Sequence, residues 1–440
     1  MATMTCHPTM HIEICLKDSA RKDVSYSELR TEVSRHLSLH CSGLYISHCN
    51  LLLKSFDRDT NFADKVKSIS VDLELNDSES ESRLKTLGEH WKCTRHSFYV
   101  FGLNESMPSS DDLVLSCNKE EEEEDMTVAT HWRLPCSEFH GLWESLVYDS
   151  SVKAQLLSYA STALLFSDRD VDQHIVSCNR VILLHGPPGT GKTSLSKALA
   201  QKLCVRMGRY RSGRLMEINS HSLLSKWFAE SGKLVNRIFE EIEKFAQNSE
   251  LLVCVLIDEV ESLSAARSAA IKSTEPTDAV RVVNAFLTRI DKIKKYPNVM
   301  IMTTSNVTGA IDLAFVDRAD IKHYIGKPSV PAIYHIYRSC FEELIRVGII
   351  SGSCSSVLEL RELEESFSYK RDAQATTSQS LYEISRLSEG FSGRTLRKLP
   401  FLAHAFYLKS VGVESSVFIE ALRKAVLKQK KEEEELTHTD

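Results

Sequence analysis

The sequence predicts an α/β protein, with a parallel sheet covered by helices on both faces, a small α+β domain before it and a helical domain after it. Three observations indicate this. A glycine-rich loop separates an apolar run from a helical pattern within residues 181–200. Two further apolar runs, residues 251–257 and 299–304, end in polar residues, as expected of parallel strands buried on both faces. Alternating apolar residues recur near the N-terminus.

The glycine-rich loop follows the pattern G-x-x-x-x-G-K-[ST] between a strand and a helix, which is the context that this pattern requires. This phosphate-binding loop consists of Gly186, Pro187, Pro188, Gly189, Thr190, Gly191, Lys192 and Thr193. Its glycines let backbone N–H groups face a polyphosphate, and the helix that follows adds the positive end of its dipole. Lys192 can meet the β- and γ-phosphates, and the Thr193 hydroxyl can ligate Mg²⁺. A glycine-rich turn with an incidental lysine is a much weaker explanation, so the loop predicts binding of a nucleoside triphosphate.

Polar residues follow the two later apolar runs. Asp258 and Glu259 end the first run, and Asn306 follows the second. Open α/β sheets bind ligands at the carboxyl ends of their strands. Asp258 is suited to holding Mg²⁺ through water, and Glu259 to orienting and deprotonating an attacking water. Exposed acids that cap a strand are the alternative, which the loop upstream disfavours. Asn306 can bond the γ-phosphate or the water, but taken alone it would be assigned to a turn.

Composition and charge exclude several classes of protein. The 440 residues suggest two or three domains, and the hydrophobic fraction of 42% is ordinary for a soluble protein. A formal net charge of -6 argues mildly against a protein that mainly grips nucleic acid. The 12 cysteines contain no C-x-x-C pair, which disfavours a metal site or a disulfide framework and fits a reducing, intracellular setting. We find no secretory signal pattern and no run of about 18 apolar residues, so no membrane is expected.

Four segments are expected along the chain. Residues 1–108 combine alternating runs with one helical pattern and carry no chemical motif, so substrate recognition is favoured over inert packing. Residues 109–130 form an acidic linker, since the block Glu120–Asp125 repels itself; a specific acidic docking site is the weaker alternative. Residues 131–330 form the large α/β domain. Residues 331–440 form a helical lid with a polar insertion near 365–380.

Two aromatic features stand apart from the helical and strand patterns. Trp227 and Phe228 lie between polar residues rather than on an apolar stripe. Trp143 precedes a helical stretch, at a position where a nucleotide-binding protein can wrap the base. Ordinary packing of Trp143 is equally compatible with the sequence.

The order of these motifs resembles that of the AAA+ ATPases. The match is closer to one family, the pachytene checkpoint ATPases, also called thyroid hormone receptor interactor ATPases. Five runs carry this resemblance: residues 218–235, 256–263, 303–306, 314–322 and 389–405. It covers residues 130–410 strongly and the N-terminal domain in general layout only.

The resemblance implies a role for each matching residue. Lys192 and Thr193 match Walker A, and Asp258 and Glu259 match Walker B, with Glu259 as the catalytic base. The remaining matches are sensor 1 at Asn306, sensor 2 in the lid at Arg394, the arginine finger at Arg318, and the substrate-gripping pore loop at Trp227 and Phe228.

The finger is expected to reach the nucleotide of the neighbouring subunit, where such an arginine is worth about 10³–10⁵ in rate. Many relatives carry two arginines here, whereas Asp317 precedes the single Arg318. Arg281, on the preceding helix, is the candidate for a second arginine.

The family is known for remodelling HORMA-domain proteins: the spindle-checkpoint HORMA protein, delivered by a HORMA-like adaptor, and those of meiotic chromosome axes. The resemblance thus implies a homo-hexamer that uses ATP and Mg²⁺ to convert closed HORMA proteins to the open form. It also implies roles in spindle-checkpoint silencing and in meiotic recombination and chromosome-axis control. The expected location is the nucleus and cytoplasm, at kinetochores or meiotic chromosomes.

Two other classes of function remain as alternatives. A nucleic-acid motor would be expected to line its channel with Lys and Arg, whereas here an aromatic pair accompanies a net charge of -6. Direct nucleic-acid contact is therefore not expected. A scaffold that has lost catalysis is disfavoured because every expected catalytic residue is intact.

Overall fold

The computed structural model describes residues 9–20, 25–39, 41, 50–54, 56, 60, 62–74, 87–105, 129–148, 151–172, 174–210, 212–220, 231–264, 278–307, 311–352, 357–358, 360, 363 and 373–437. Trp227 and Phe228 lie outside the described residues, as does residue range 109–128 of the expected linker.

The N-terminal domain is built on a four-stranded sheet. Its strands are β1 (Thr9–Leu16), β2 (Asn50–Leu53), β3 (Val66–Glu74) and β4 (Arg95–Gly102), in the order β2-β3-β1-β4. β1 runs antiparallel to β3 and parallel to β4. Among the described residues of this domain, the helices are α1 (Tyr26–Leu39) and α2 (Leu87–Cys93), and a 3₁₀ turn lies at Asp18–Ala20. The apolar alternating runs of the sequence therefore form strands of this sheet, and the helical pattern forms α1.

The large domain is built on a six-stranded sheet of order β10-β6-β9-β8-β7-β5. The strands are β5 (Ala129–Leu134), β6 (Val181–His185), β7 (Ser212–Asn219), β8 (Leu251–Asp258), β9 (Val299–Ser305) and β10 (Ile321–Tyr324). All neighbours are parallel except β5, an antiparallel edge strand on β7. The predicted parallel sheet is thus confirmed, with one antiparallel strand at its edge.

Helices cover both faces of this sheet. They are α3 (Leu142–Ser145), α4 (Val152–Asp168), α5 (Lys192–Arg206), α6 (Ser231–Ala246), α7 (Asp278–Ile293) and α8 (Leu313–Arg318). Alternate residues of β8 enter opposite cores: Val253 and Val255 pack with α6 and α7, whereas Cys254 and Leu256 pack with α4 and α5. This double burial explains why the strand reads as one continuous apolar run.

The C-terminal lid is mainly helical. Its elements are α9 (Val330–Arg346), α10 (Ala373–Leu387), α11 (Gly393–Ala403), a π-helical turn (His404–Leu408), α12 (Ser415–Thr437), and the short parallel strands β11 (Ile350–Ser351) and β12 (Val413–Glu414). Tyr337, Phe341 and Phe418 are buried at its centre. Of the expected polar insertion near 365–380, residues 365–372 lie outside the described residues, whereas α10 begins at Ala373 and Ser378 is buried in the lid. Across the described parts of the chain, no helix is both long and apolar enough to cross a membrane.

Candidate active site

The phosphate-binding loop joins β6 to α5 and depends on its glycines. Gly186, Gly189 and Gly191 all have positive φ, at 144°, 76° and 89°. A Cβ on Gly186 would lie 2.2 Å from the carbonyl oxygen of Ile325, and one on Gly189 would lie 2.7 Å from Ser392 Oγ. The loop therefore sits between the end of β10 and the lid, in a conformation that other residues rarely adopt.

Lys192 is buried within its own loop. Its Nζ donates to the carbonyl oxygens of Gly186, at 2.9 Å, and Pro187, at 2.8 Å, and the residue is 4% exposed. Burial lowers the pKa of the Lys192 ammonium, although the nearby carboxylates of Glu261 and Asp258 act in the opposite direction. The Lys192 ammonium group therefore lies beside the turn whose N–H groups would bind a polyphosphate.

The loop and the sheet edge bring two oxygen ligands together. Thr193 Oγ1, in the first turn of α5, donates to Asp258 Oδ1 at 2.9 Å. Asp258 ends β8 and also accepts a hydrogen bond from the Thr304 hydroxyl of β9. A hydroxyl beside a carboxylate is the kind of donor set that Mg²⁺ prefers. The two side chains thus fit the predicted magnesium site.

Glu259, Asn306 and Glu261 form a hydrogen-bonded chain at the same edge. Asn306 Nδ2 donates to Glu259 Oε1 at 3.4 Å, and its backbone N–H donates to Glu261 Oε1 at 3.0 Å. Glu259 has a φ of 59°, a left-handed conformation that costs a non-glycine residue about 1–3 kcal/mol and that the surrounding structure must therefore hold in place. Its N–H is held by Thr304 Oγ1 at 3.2 Å. The expected base and sensor are therefore neighbours, as the spacing of the motifs required.

Glu261 is a site residue that the sequence analysis missed. It lies three positions after Asp258, and its Oε2 is buried without a hydrogen-bond partner among the described residues. The sequence did carry a signal for Glu261, because it is the third acidic residue at the end of a buried strand. Its position beside Lys192 and Asn306 makes it part of the electrostatics of the site.

The lid meets the loop through the start of α11. The backbone N–H of Arg394 donates to the carbonyl oxygen of Gly189 at 3.1 Å. Ser392 caps α11, since its side chain accepts from the N–H of Thr395 at 3.2 Å. The exposed Arg394 side chain is close enough to act on the charge of Lys192. The predicted sensor 2 residue therefore lies against the phosphate-binding loop.

A cavity of about 420 Å³ lies between the large domain and the lid, beside the loop. This volume is in the range of small-molecule sites. It is lined by Leu146, Val147, Tyr148, Val152, Gly189, Thr190, Gly191, Ser194, Tyr324, Ile325, Gly326, Lys327, Pro328, Ile336, Gly393, Arg394 and Arg397. The Tyr148 hydroxyl donates to the Gly191 carbonyl at 3.3 Å, and burial raises the pKa of this phenol, which keeps it a donor.

Trp143 does not line this cavity. It is buried in the core of the large domain, with the Lys153 and Lys202 ammonium groups 5.3 and 5.9 Å from its ring. The packing alternative is thus the correct one for Trp143. Tyr148 and Arg397 do line the cavity but were not predicted: Tyr148 stands in no motif, and Arg397, although it lies in the run 389–405, was assigned no role.

Arg318 lies on α8 and is held by α7. Its Nε and Nη2 donate to the two carboxylate oxygens of Asp291, at 3.0 and 2.7 Å, and its Nη1 donates to the Ala314 carbonyl. Burial would raise the pKa of Asp291, but hydrogen bonds from Arg318 and Lys294 lower it. Within the described residues, no hydrogen bond or ion pair joins Arg318 to the phosphate-binding loop of its own chain.

Two family models match the chain. Residues 182–327 match the model described as "ATPase family associated with various cellular activities (AAA)". Residues 329–430 match "TRIP13-like, AAA+ ATPase lid C-terminal domain".

Curated relatives match along most of the chain. It is 50% identical over 434 residues to the Pachytene checkpoint protein 2 homolog of Canis lupus familiaris, covering 98% of this chain and 95% of that protein. The homolog of Homo sapiens is 49% identical over 435 residues, with the same coverage of 98% and 95%. The homolog of Gallus gallus is 58% identical over 341 residues, or 77% of each chain.

Solved structures share the fold. The structure of C. elegans PCH-2 has a TM-score of 0.75 at 30% identity, covering 96% of this chain and 99% of that one. A chain from an E. coli HORMA:CdnC:Trip13 complex has a TM-score of 0.50 at 16% identity, covering 67% of this chain and 94% of its own. At that identity the second likeness concerns the fold alone.

Proposed function

Because this chain belongs to the Pachytene checkpoint protein 2 family and is an AAA+ ATPase, we propose that it uses ATP hydrolysis to remodel HORMA-domain proteins. One observation carries the catalytic part of the proposal. The phosphate-binding loop, the Thr193–Asp258 pair and the Glu259–Asn306 pair meet at one edge of the sheet, under the start of α11.

The residues at this edge divide the work of hydrolysis. The loop N–H groups and Lys192 bind the phosphates, for which Lys192 exchanges its two carbonyl partners for phosphate oxygens. Glu259, oriented by the Asn306 amide, accepts a proton from water as the water oxygen bonds to the γ-phosphorus and the bond to the β-phosphate oxygen breaks. Mg²⁺, when bound by Thr193 and Asp258, neutralises charge on the β- and γ-phosphates. Arg394 links this event to the lid.

A neighbouring copy completes the site in this proposal. Arg318 is held by Asp291 and makes no hydrogen bond or ion pair with its own loop among the described residues, which supports a role toward another subunit. An arginine supplied in trans stabilises the charge that develops in the transition state. The assembly proposed is a homo-hexamer.

The substrate part of the proposal rests on family membership. The N-terminal domain would select a HORMA-domain protein, with a HORMA-like adaptor. Trp227 and Phe228 would grip an unfolded segment and pull, which converts the closed form to the open form. The biological settings proposed are spindle-checkpoint silencing and control of meiotic recombination and chromosome axes, in the nucleus and cytoplasm.

Uncoupling hydrolysis from remodelling tests this function. Trp227→Ala should keep basal phosphate release and lose conversion of a closed HORMA-domain protein, whereas Phe401→Ala, at a lid aromatic that is 70% exposed, should keep both. Glu259→Gln in ATP should retain the HORMA protein in a pull-down. Normal conversion by Trp227→Ala would contradict the pore loop. Stimulation of hydrolysis by DNA but not by a HORMA protein would favour a nucleic-acid motor instead.

A further inference from the structure

The sheet of the N-terminal domain is polar on one of its faces. Met10, Ile12 and Ile14 of β1 point into the apolar core under α1, so Glu13 between them points to the opposite face. Ser70 and Asp72 of β3 share that face with Glu13, which is only 5% exposed. A charged residue is rarely buried unless it is paired. The buried carboxylate on this face therefore requires a partner of opposite charge.

The charged groups come from the helix that follows the phosphate-binding loop. Lys202 Nζ lies 2.5 Å from Glu13 Oε2, and Arg206 Nε lies 2.7 Å from Glu13 Oε1. Arg206 Nη2 also pairs with Asp72. The two cations are four residues apart on α5, so they lie on the same face of the helix. Glu13 is thus clamped by both.

A third carboxylate closes the cluster from the large domain. Glu144 Oε1, on α3, lies 2.9 Å from Lys202 Nζ and accepts a hydrogen bond from Ser70 Oγ at 2.9 Å. None of the five charged side chains is more than 16% exposed. Burial acts to lower the pKa of Lys202, but Glu13 and Glu144 raise it, so the ammonium stays charged. The cluster joins the two domains through buried ion pairs.

The position of the cluster on α5 gives it a mechanical connection to the active site. α5 begins at Lys192, in the phosphate-binding loop. Lys202 and Arg206 follow 10 and 14 residues later, which places them about 15 and 21 Å along one continuous helix. Removing one side of the contact leaves the buried charges of the other side unpaired, which is costly and favours a shift of the helix or the sheet that lets water reach them.

We propose that Glu13, Asp72, Lys202 and Arg206 form an interdomain clamp through which the N-terminal domain positions α5 for ATP hydrolysis. These are positioning residues, since none of them reaches the phosphate-binding loop. A partner that binds the N-terminal domain and shifts its sheet would change ATP turnover through this contact. The proposed role of the clamp requires only that the chain hydrolyses ATP, whatever protein it remodels.

The test compares two neutralising changes in the full-length protein. Glu13→Gln with Asp72→Asn removes the N-terminal side of the clamp and keeps the size of both side chains. Lys197→Met is the matched control, because Lys197 lies on the same helix but pairs with Glu217 of the large domain, at 2.8 Å. Steady-state kcat and KM for ATP are measured together with hydrogen exchange of residues 66–74 and 192–206.

The double variant should show faster exchange in both segments and a kcat lower by about tenfold, with KM changed less than kcat, as expected when catalytic groups are slightly misplaced. The control should stay near wild type. Lys202→Arg, which keeps the charge, should retain most of the kcat that Lys202→Met loses. Faster exchange with an unchanged or higher kcat would overturn the proposal, as would equal losses in Lys202→Arg and Lys202→Met. If the double variant fails to fold, Asp72→Asn alone, at the most exposed member, decides in the same way.

Discussion

Adding one methyl group to Gly186 gives a sharp test of the active-site geometry. Gly186 has a φ of 144°, and a Cβ there would lie 2.2 Å from Ile325 O and 3.0 Å from Ile325 C. Both sides of this contact are fixed. The N–H of Gly186 donates to Ser305 O at 3.2 Å, and the N–H of Ile325 donates to His185 O at 2.8 Å. The methyl group therefore meets backbone atoms rather than a mobile side chain.

The magnitude follows from two costs. A non-glycine residue in this backbone region costs about 1–3 kcal/mol. Opening the contact from 2.2 Å to the 3.0 Å that real Cβ atoms respect requires the loop or Ile325 to move, and overpacking of this kind costs about 1–3 kcal/mol more. If at least about 2 kcal/mol falls on the loop conformation that binds phosphate, ATP affinity drops about 30-fold.

Calorimetric titration of ATP into the Gly186→Ala protein measures this loss, and urea unfolding measures the accompanying fall in stability. Gly208→Ala is the control, because a Cβ at Gly208 meets no heavy atom within 4 Å and its φ is not positive. Gly189→Ala should fall between the two, since its closest contact is the Ser392 hydroxyl, which can rotate. Affinity within threefold of wild type in Gly186→Ala would refute the described packing of the loop against β10.

Three further predictions concern other charged groups. Asp291→Asn should lower kcat by about tenfold at an unchanged KM for ATP, because it weakens the two hydrogen bonds that hold the Arg318 guanidinium. Steady-state kinetics checks this, with Asp317→Asn as the control variant. Burial alone would raise the pKa of Glu144, but Lys202 and Ser70 lower it from 4.5 to about 2. The ionised Glu144 carboxylate therefore contributes its full stabilisation above about pH 4.5, and this stabilisation is lost as the pH falls toward 2. Glu144→Gln should therefore flatten this acid limb in urea unfolding. Arg180→Met should lower the free energy of unfolding by about 3 kcal/mol, because Arg180 is 2% exposed and donates to Val299 O and Tyr296 O; an unchanged urea midpoint would contradict it.

The sequence predicted which side chains meet at this edge of the sheet, because the signals for their placement are local. A buried parallel strand has to be apolar throughout, so the acid that follows β8 and the amide that follows β9 could be placed at one edge from the amino-acid pattern alone. Glu259 and Asn306 are 47 positions apart in the chain, yet parallel pairing of β8 with β9 leaves them in hydrogen-bond contact. The same logic located Thr193 beside Asp258.

Contacts between domains could not be predicted in this way. Glu13 stands in an alternating run in which any polar residue would fit the outer face, and nothing local connects it to Lys202, 189 positions later. The cavity residues Tyr148 and Arg397 come from different domains and lie together because the lid packs against the large domain beside the loop. For Trp143, the sequence showed only a position before a helix, which fits a contact with the nucleotide base and packing in the core equally well. Long-range packing, rather than periodicity, decides such residues.

The most direct test of the account is parallel measurement of ATP binding, phosphate release and HORMA-protein conversion by the wild type and Glu259→Gln. We predict that the wild type does all three. Glu259→Gln should bind ATP with affinity near wild type but lose both phosphate release and conversion, since the amide cannot accept the proton from water. Phosphate release by Glu259→Gln at the wild-type rate would contradict the assignment of the base. Conversion without hydrolysis would contradict the coupling of this site to remodelling.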